Sequence, residues 1–208
     1  METKVFLVSD THFGHAKLIE WGRPPDFEDR LWKGLEVVQD LDVLIHLGDF
    51  CIGEDEKNHC GFMNRVKGTK IFVRGNHDHK SDSWLYRMGW DFVCDEYKNR
   101  HFGKSITFTH IPIPRNGTDH NVHGHTHGNM HRDKDVRDYY DKTFHVEVAP
   151  ENTDYKPILL TQKILNPKSA AEEQRKIILP VEYLKAEKEL QQKADRAVDN
   201  LPPKKPKA

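Results

Sequence analysis

Val43-Leu44-Ile45-His46-Leu47-Gly48-Asp49 is an apolar run that stops abruptly at a glycine and a carboxylate. A short run rich in branched apolar side chains has the form of a strand buried on both faces. The same form recurs on either side of it. Val5-Phe6-Leu7-Val8 ends in Ser9-Asp10-Thr11-His12, and Ile71-Phe72-Val73 ends in Arg74-Gly75-Asn76-His77-Asp78. Between these runs the residues favour helices. One runs from Ala16 to Trp21 and is closed by Gly22 and Pro24-Pro25. A second starts at Asp26 and runs to about Gln39, with Leu31, Leu35 and Val38 near helical spacing, and a third spans Glu54 to Val66. Strand, helix, strand, helix, strand predicts a parallel sheet covered by helices. Ligands of such sheets collect at the carboxyl ends of the strands, where all three polar clusters lie.

After a helix near Ser81 to Met88 the texture changes. Phe92-Val93-Cys94, Ser105-Ile106-Thr107-Phe108, Asn121-Val122-His123 and Phe144-His145-Val146-Glu147-Val148 are short extended runs separated by loops. They predict a second sheet packed on the first. His110 and Gly124-His125-Thr126-His127 again follow strand ends. The expected architecture is α/β: two mixed sheets packed as a sandwich and flanked by helices, in one domain over residues 1–167. Residues 168–208 read as a charged extension with a helical stripe through Leu184, Leu190, Ala194 and Val198, ending in a disordered Pro/Lys tail from Leu201.

Bulk composition narrows the function classes. A formal charge of −1 over 208 residues carries no global basic field of the kind that announces nucleic-acid binding. Mean hydropathy is −0.80, partly because of the charged C-terminal segment. Three cysteines without paired spacing point to a reducing cytosol rather than a disulfide framework. No leader-like segment and no apolar run long enough to span a bilayer is present, so a soluble cytoplasmic protein is expected. The anomaly is histidine, with fourteen in the chain.

Carboxylate, imidazole and amide side chains together suit divalent first-row metals. Asp10 and His12 alternate in a segment read as extended, so both can point the same way. Asp49 has two oxygens and can bridge two ions, Asn76 offers a neutral amide oxygen, and His125 and His127 repeat the alternating arrangement. In this order, Asp-x-His, Gly-Asp, Gly-Asn-His-Asp, a lone His and Gly-His-x-His, the clusters resemble the signature of the calcineurin-like metallophosphoesterase superfamily. The resemblance covers roughly residues 4 to 150. Ser9 to His15 and Tyr155-Lys156-Pro157 are similar to its small phage and bacterial members.

The resemblance implies two divalent metals, drawn from Mn²⁺, Fe²⁺, Zn²⁺ or Ni²⁺. Asp10, His12, Asp49 and His127 would hold one. Asp49, Asn76, His110 and His125 would hold the other, with Asp49 shared. A hydroxide generated between the metals would attack the phosphorus of a phosphate ester while His77, a non-ligand, protonates the leaving group. Asp78 is a candidate to hold or tune His77. The protein phosphatases of the superfamily continue Gly-Asp with Val-Asp-Arg-Gly, whereas this chain has Phe50-Cys51-Ile52-Gly53, which argues against a phosphoprotein substrate.

Other residues have competing readings. Arg74 can contact substrate phosphate, but a structural pairing with a loop carboxylate is favoured over that role. His15, three residues past His12, is a candidate to face substrate. The histidines outside the clusters are expected to be surface or packing residues. A phosphodiester is favoured over a monoester because no cap domain encloses the site. Nucleotides and nucleic-acid ends are within reach of that chemistry. The alternatives are a DNA or RNA nuclease, and a non-catalytic protein-binding module on the same fold. The C-terminal helix is the candidate docking element for a protein partner.

Overall fold

The computed structural model describes residues 2–129 and 134–165. The expected C-terminal helical extension and Pro/Lys tail at residues 168–208 lie outside the described residues. Three strands of the parallel core are as expected, but Phe92–Cys94, expected in the second sheet, joins the first instead, because the helix over Asp82–Met88 supplies the crossover that a parallel neighbour needs. Strands β1 (Val5–Val8), β2 (Val43–His46), β3 (Thr69–Val73) and β4 (Phe92–Cys94) run parallel, in a five-stranded sheet ordered β4-β3-β2-β1-β9. The last of these, β9 (Ile158–Leu159), closes the edge antiparallel to β1. The second sheet orders β5 (Glu96–His101), β6 (Lys104–Thr109), β7 (His120–His123) and β8 (His145–Glu147). Its first pair is antiparallel and its other two pairs are parallel.

Period-two alternation assigns the faces of the first sheet. Phe6, Val8, Leu44 and Phe72 point outward into a core shared with the helices, which contains Leu31, Phe62, Leu85 and Trp90. Leu7, Ile45, Ile71 and Val73 point the other way, onto Ile106, Phe108 and Val122 of the second sheet. Burial on both faces is why β1 to β3 read as continuous apolar runs.

The helices on the outer face are α1 (Lys17–Glu20), α2 (Phe27–Leu35), α3 (Asp55–Arg65) and α4 (Asp82–Met88); α5 (Lys134–Arg137) lies in the later loops. Helix α2 stops four residues short of the expected Gln39. Past Leu35 the backbone tightens, with Val37 N–H donating to Gly34 O and Val38 N–H to Leu35 O, and the Asp42 carboxylate then takes the Gln39 N–H at 2.9 Å. Helix α4 begins at Ser81, whose hydroxyl accepts the Trp84 N–H, and ends at Gly89 in the left-handed region. Strands β5 and β9 and helix α5 are additions to the expected set. β5 is a polar edge strand, Glu96-Tyr97-Lys98-Asn99-Arg100-His101, held by backbone pairing with β6, so no alternating apolar pattern marks it.

Candidate metal centre

Each functional side chain sits on a loop that leaves the carboxyl end of a strand, and the loops are locked to one another by backbone bonds. Asp10 N–H donates to Gly48 O at 2.9 Å and His12 N–H to Asp49 O at 3.0 Å. Gly124 N–H donates to His110 O at 3.0 Å. The loops approach too closely for side chains at the glycines. A Cβ on Gly75 would collide with the Asp49 carboxylate and amide, and one on Gly124 would strike Asp10 and Ser9.

Asp10, His12, Asp49, His125 and His127 all adopt left-handed backbone, with φ of 47°, 46°, 54°, 71° and 49°. The extended, alternating arrangement expected for Asp10/His12 and His125/His127 is therefore corrected. Non-glycine residues in this region cost on the order of 1–3 kcal/mol each and persist where the surroundings over-determine them. The side chains converge nonetheless. His127 Nε2 lies 3.4 Å and His12 Nε2 3.9 Å from Asp10 Oδ1, and the rings of His12 and His127 stack at 5.4 Å. Beside them, His110 Nε2 lies 3.0 Å from Asn76 Oδ1 and 3.3 Å from His125 Nδ1. Asp49 Oδ2 joins the two groups, 3.6 Å from His12 Nε2 and 3.3 Å from His110 Nε2. The seven predicted ligand positions are thus brought to one place. Asp10, His12 and His127 form one cluster of donor atoms fit for an ion, and Asp10, Asp49 and His110 form a second.

The electrostatics fit cations there. Asp10 and Asp49 are 0% and 2% exposed. Burial works to raise the Asp10 carboxyl, but the charges of His127, His110 and His12 and a hydrogen bond from Ser9 hold it well below the usual range. Burial likewise disfavours a charged His110, yet the Asp49 hydrogen bond and the Asp10 and Asp49 charges raise it to about 9. His127 is raised in the same way, against burial, by Asp10 and Glu151. Two buried carboxylates draw positive charge onto whatever can carry it. His12, by contrast, is pushed by burial down to about 3 against the pull of Asp10 and Asp49.

Supporting contacts fix which ring nitrogen faces the centre. His110 Nδ1–H donates to Leu47 O at 2.7 Å, leaving Nε2 directed at Asp49 and Asn76. His127 Nδ1 lies 3.1 Å from Glu151 Oε1, and Glu151 also takes the Arg23 Nε–H at 2.8 Å. Arg23 is 4% exposed, packs over Phe27 at 5.1 Å and donates to Asp10 O at 2.8 Å. Glu151 is lowered to about 2: burial would raise it, but the Arg23 charge and the His127 contact prevail. Glu147 braces the same loop, accepting from Thr126 Oγ1 and from Gly128 N–H at 2.7 Å.

A buried relay ties the first two loops. Gly48 N–H donates to His46 Nδ1 at 3.2 Å, so His46 Nε2–H donates to Thr11 Oγ1 at 2.9 Å, and Thr11 donates to Phe50 O at 2.7 Å. Arg23, Glu151, Glu147 and His46 were not singled out from the sequence. The one signal available for Arg23 was an arginine between Gly22 and Pro24-Pro25, which reads as an exposed turn.

One sequence assignment needs correction, and the substrate-contact alternative for Arg74 falls away. Asp78 does not engage the His77 ring. Its carboxylate accepts backbone N–H groups of Asp49 at 2.7 Å, Gly75 at 2.8 Å and Phe50 at 3.1 Å, clamping the second and third loops together. Arg74 does not face the cleft; its guanidinium pairs with Asp82 and, at 3.2 Å, with Asp95. The favoured structural reading of Arg74 therefore holds.

His77 and His15 do line the cleft. It holds about 450 Å³ and is bordered by His12, His15, Leu18, Trp21, Asp49, Asn76, His77, His125, Thr126, His127 and Lys134. The His77 side chain is half-exposed; its backbone N–H donates to Asp49 Oδ1 at 2.9 Å, and its Nε2 lies 3.9 Å from Asp49 Oδ2.

Comparison with known proteins agrees with the fold. The family model for calcineurin-like phosphoesterases matches residues 3–201. An uncharacterised protein of Methanocaldococcus jannaschii is 30% identical over 167 residues, covering 76% of this chain and 87% of that one. A protein of unknown function from Aquifex aeolicus, known by crystal structure, superposes with a TM-score of 0.61 at 28% identity, over 76% of this chain and 96% of that one. The fold, the motif order and the family match agree, and the chain belongs to the calcineurin-like phosphoesterases.

Proposed function

We propose that the protein is a dinuclear-metal-dependent phosphoesterase that hydrolyses a phosphodiester. The observation that carries this reading is Asp49 Oδ2, set between the His12 and His110 groups at 3.6 and 3.3 Å. One buried carboxylate oxygen facing two clusters of donors suits a shared ligand. Asp10, His12 and His127 would hold one ion and Asn76, His110 and His125 the other, drawn from Mn²⁺, Fe²⁺, Zn²⁺ or Ni²⁺. Bound together, two such ions supply an activated water and neutralise the phosphoryl oxygens.

The chain's own residues do the rest. Asp49 takes the His77 backbone N–H on Oδ1, so the same carboxylate that faces both clusters also fixes the position of His77. His77 faces the open side of the cleft. As water adds to phosphorus and the P–O bond to the leaving group breaks, His77 gives its proton to the departing oxygen, the proton lost by the attacking water passes to bulk solvent, and solvent returns a proton to His77. Glu151 and Leu47 keep His127 and His110 presenting Nε2 throughout. Among the described residues the His77 side of the site is open, its side chain 50% exposed, which favours a diester with groups on both sides of phosphorus over a small monoester.

In this reading residues 1–167 are the catalytic body, working in the cytoplasm, and residues 168–208 lie outside it as a docking segment for a protein partner. Among the described residues no helix is long and apolar enough to cross a membrane. The test is a screen of metal-reconstituted protein against aryl monoesters, diesters and cyclic phosphates, with Asp49→Asn beside it. Diester turnover that disappears in Asp49→Asn together with bound metal is expected. Full activity or full metal content in that variant would overturn the site.

A further inference from the structure

The cleft that holds the candidate metal centre has one wall of a different character. Beyond the imidazoles, the α1 segment contributes Leu18 and Trp21 to its lining. Trp21 is 58% exposed, whereas Trp90 of the core is 2% exposed. An indole left this open loses the burial of apolar area that normally keeps tryptophan inside.

Its position is specific. The rings form a series leading away from the metal cluster: His127 to His12 at 5.4 Å, His12 to His15 at 6.0 Å, and His15 to Trp21 at 5.4 Å. His15 and Trp21 meet at an interplanar angle of 81°, so they form a corner of two flat surfaces. The indole therefore stands two ring contacts from a candidate ligand, in the same cleft. Lys134 adds a cation to the same cleft. Apolar flat surface beside a charged phosphate site matches a ligand that is planar and aromatic at one end and anionic at the other.

We infer that Trp21, edged by His15, is a stacking platform for a nucleobase, and that the site takes nucleoside phosphodiesters. This rests on the phosphodiesterase reading above. Stacking is tolerant of base identity because every base presents a π-face, so little preference among bases is expected.

The test compares two diesters with the same leaving group, thymidine 5′-(p-nitrophenyl phosphate) and methyl p-nitrophenyl phosphate, on the metal-loaded full chain. Wild type should favour the nucleoside ester. In Trp21→Ala that preference, read as the ratio of the two kcat/KM values, should fall about 10- to 100-fold, mostly through KM. Trp21→Phe should restore most of it.

A second readout does not need turnover. Adenosine monophosphate should quench tryptophan fluorescence more than inorganic phosphate does, and the difference should vanish in Trp21→Phe. An unchanged ratio in Trp21→Ala, or equal quenching by the two ligands, overturns the platform while leaving the hydrolase reading intact. Hydrolysis of neither ester by wild type would overturn the hydrolase reading instead, and the quenching then decides the platform alone. A cyclic nucleotide, a dinucleotide and a short single strand, compared as substrates, distinguish the sources of the nucleoside ester.

Discussion

His77 is set apart from the candidate ligand imidazoles beside it by its exposure: its side chain is 50% exposed, against 6% for His12 and 17% for His127. A general acid needs access to a leaving group and to solvent protons, while a ligand needs a fixed, desolvated ring. His77→Ala should therefore keep its metal, as read by elemental analysis, and lose about 10²–10⁴ in rate. The loss should shrink for esters with acidic leaving groups, which depart without a proton. Metal lost in that variant would make His77 a ligand. The opposite signature is expected one contact behind the centre, where Glu151 holds the Nδ1 side of His127 and neutralises buried Arg23. Glu151→Gln keeps the shape but removes the charge. Outer contacts of this kind are typically worth about 10- to 100-fold in metal affinity, so titration calorimetry of Glu151→Gln should show weakening in that range. Unchanged affinity would reduce the Arg23–Glu151 pair to packing.

At the scale of elements, strands and loops divide the work: β1, β2 and β3 are held by burial on both faces, and their carboxyl-end loops are held by each other. Gly75 shows the consequence. Alanine there would drive a Cβ into the Asp49 amide and carboxylate, whereas the same addition at Gly61 in α3 meets nothing within 4 Å beyond its chain neighbours and its own helix backbone. Gly75→Ala should cost about 1–3 kcal/mol through overpacking, and Gly61→Ala should gain up to about 1 kcal/mol through helix propensity. Urea denaturation of the metal-free proteins measures both, and equal effects would show that the loops do not interlock. The same division explains what the chain made legible. Apolar runs and the polar residues after them are local patterns, so β1 to β3 and the gathering of Asp10, Asp49 and Asn76 at their carboxyl ends could be read directly; β4 was expected in the second sheet, and the meeting of His127 with these residues was implied only by the family resemblance. Arg23 and Glu151 are 128 positions apart, and Asp78 and Asp49 are 29 apart. Partners so distant leave no periodicity, and a charge in a turn looks the same whether it is buried or solvated. Strand β5 was missed for a related reason: its backbone pairs but its side chains do not alternate.

For the molecule as a whole, the large histidine content sets the response to pH. Beyond the centre, burial pushes His46 and His123 down to about 3 and His59 to about 4. In the unfolded chain each takes a proton near its ordinary 6.5, while the folded protein refuses it. The unfolded state then binds more protons, so stability is full above 6.5 and falls as pH drops toward those folded values, by about 1.4 kcal/mol per pH unit for each residue. His110 runs the other way in the metal-free protein. Raised to about 9 against burial by Asp49 and Asp10, it contributes fully below 6.5, and that contribution is lost as pH rises through 9. Stability of the chelated protein should therefore peak near 6.5 and decline on both sides, most steeply toward acid. Metal ions bound as proposed would replace the proton on His110, so the loaded protein should lose the alkaline decline, and loading at pH 7.5 should release protons into a weakly buffered solution. Thermal unfolding from pH 4 to 9.5, with chelator and with Mn²⁺, reads both arms. An alkaline decline that persists in the loaded protein would show that the ions do not displace that proton.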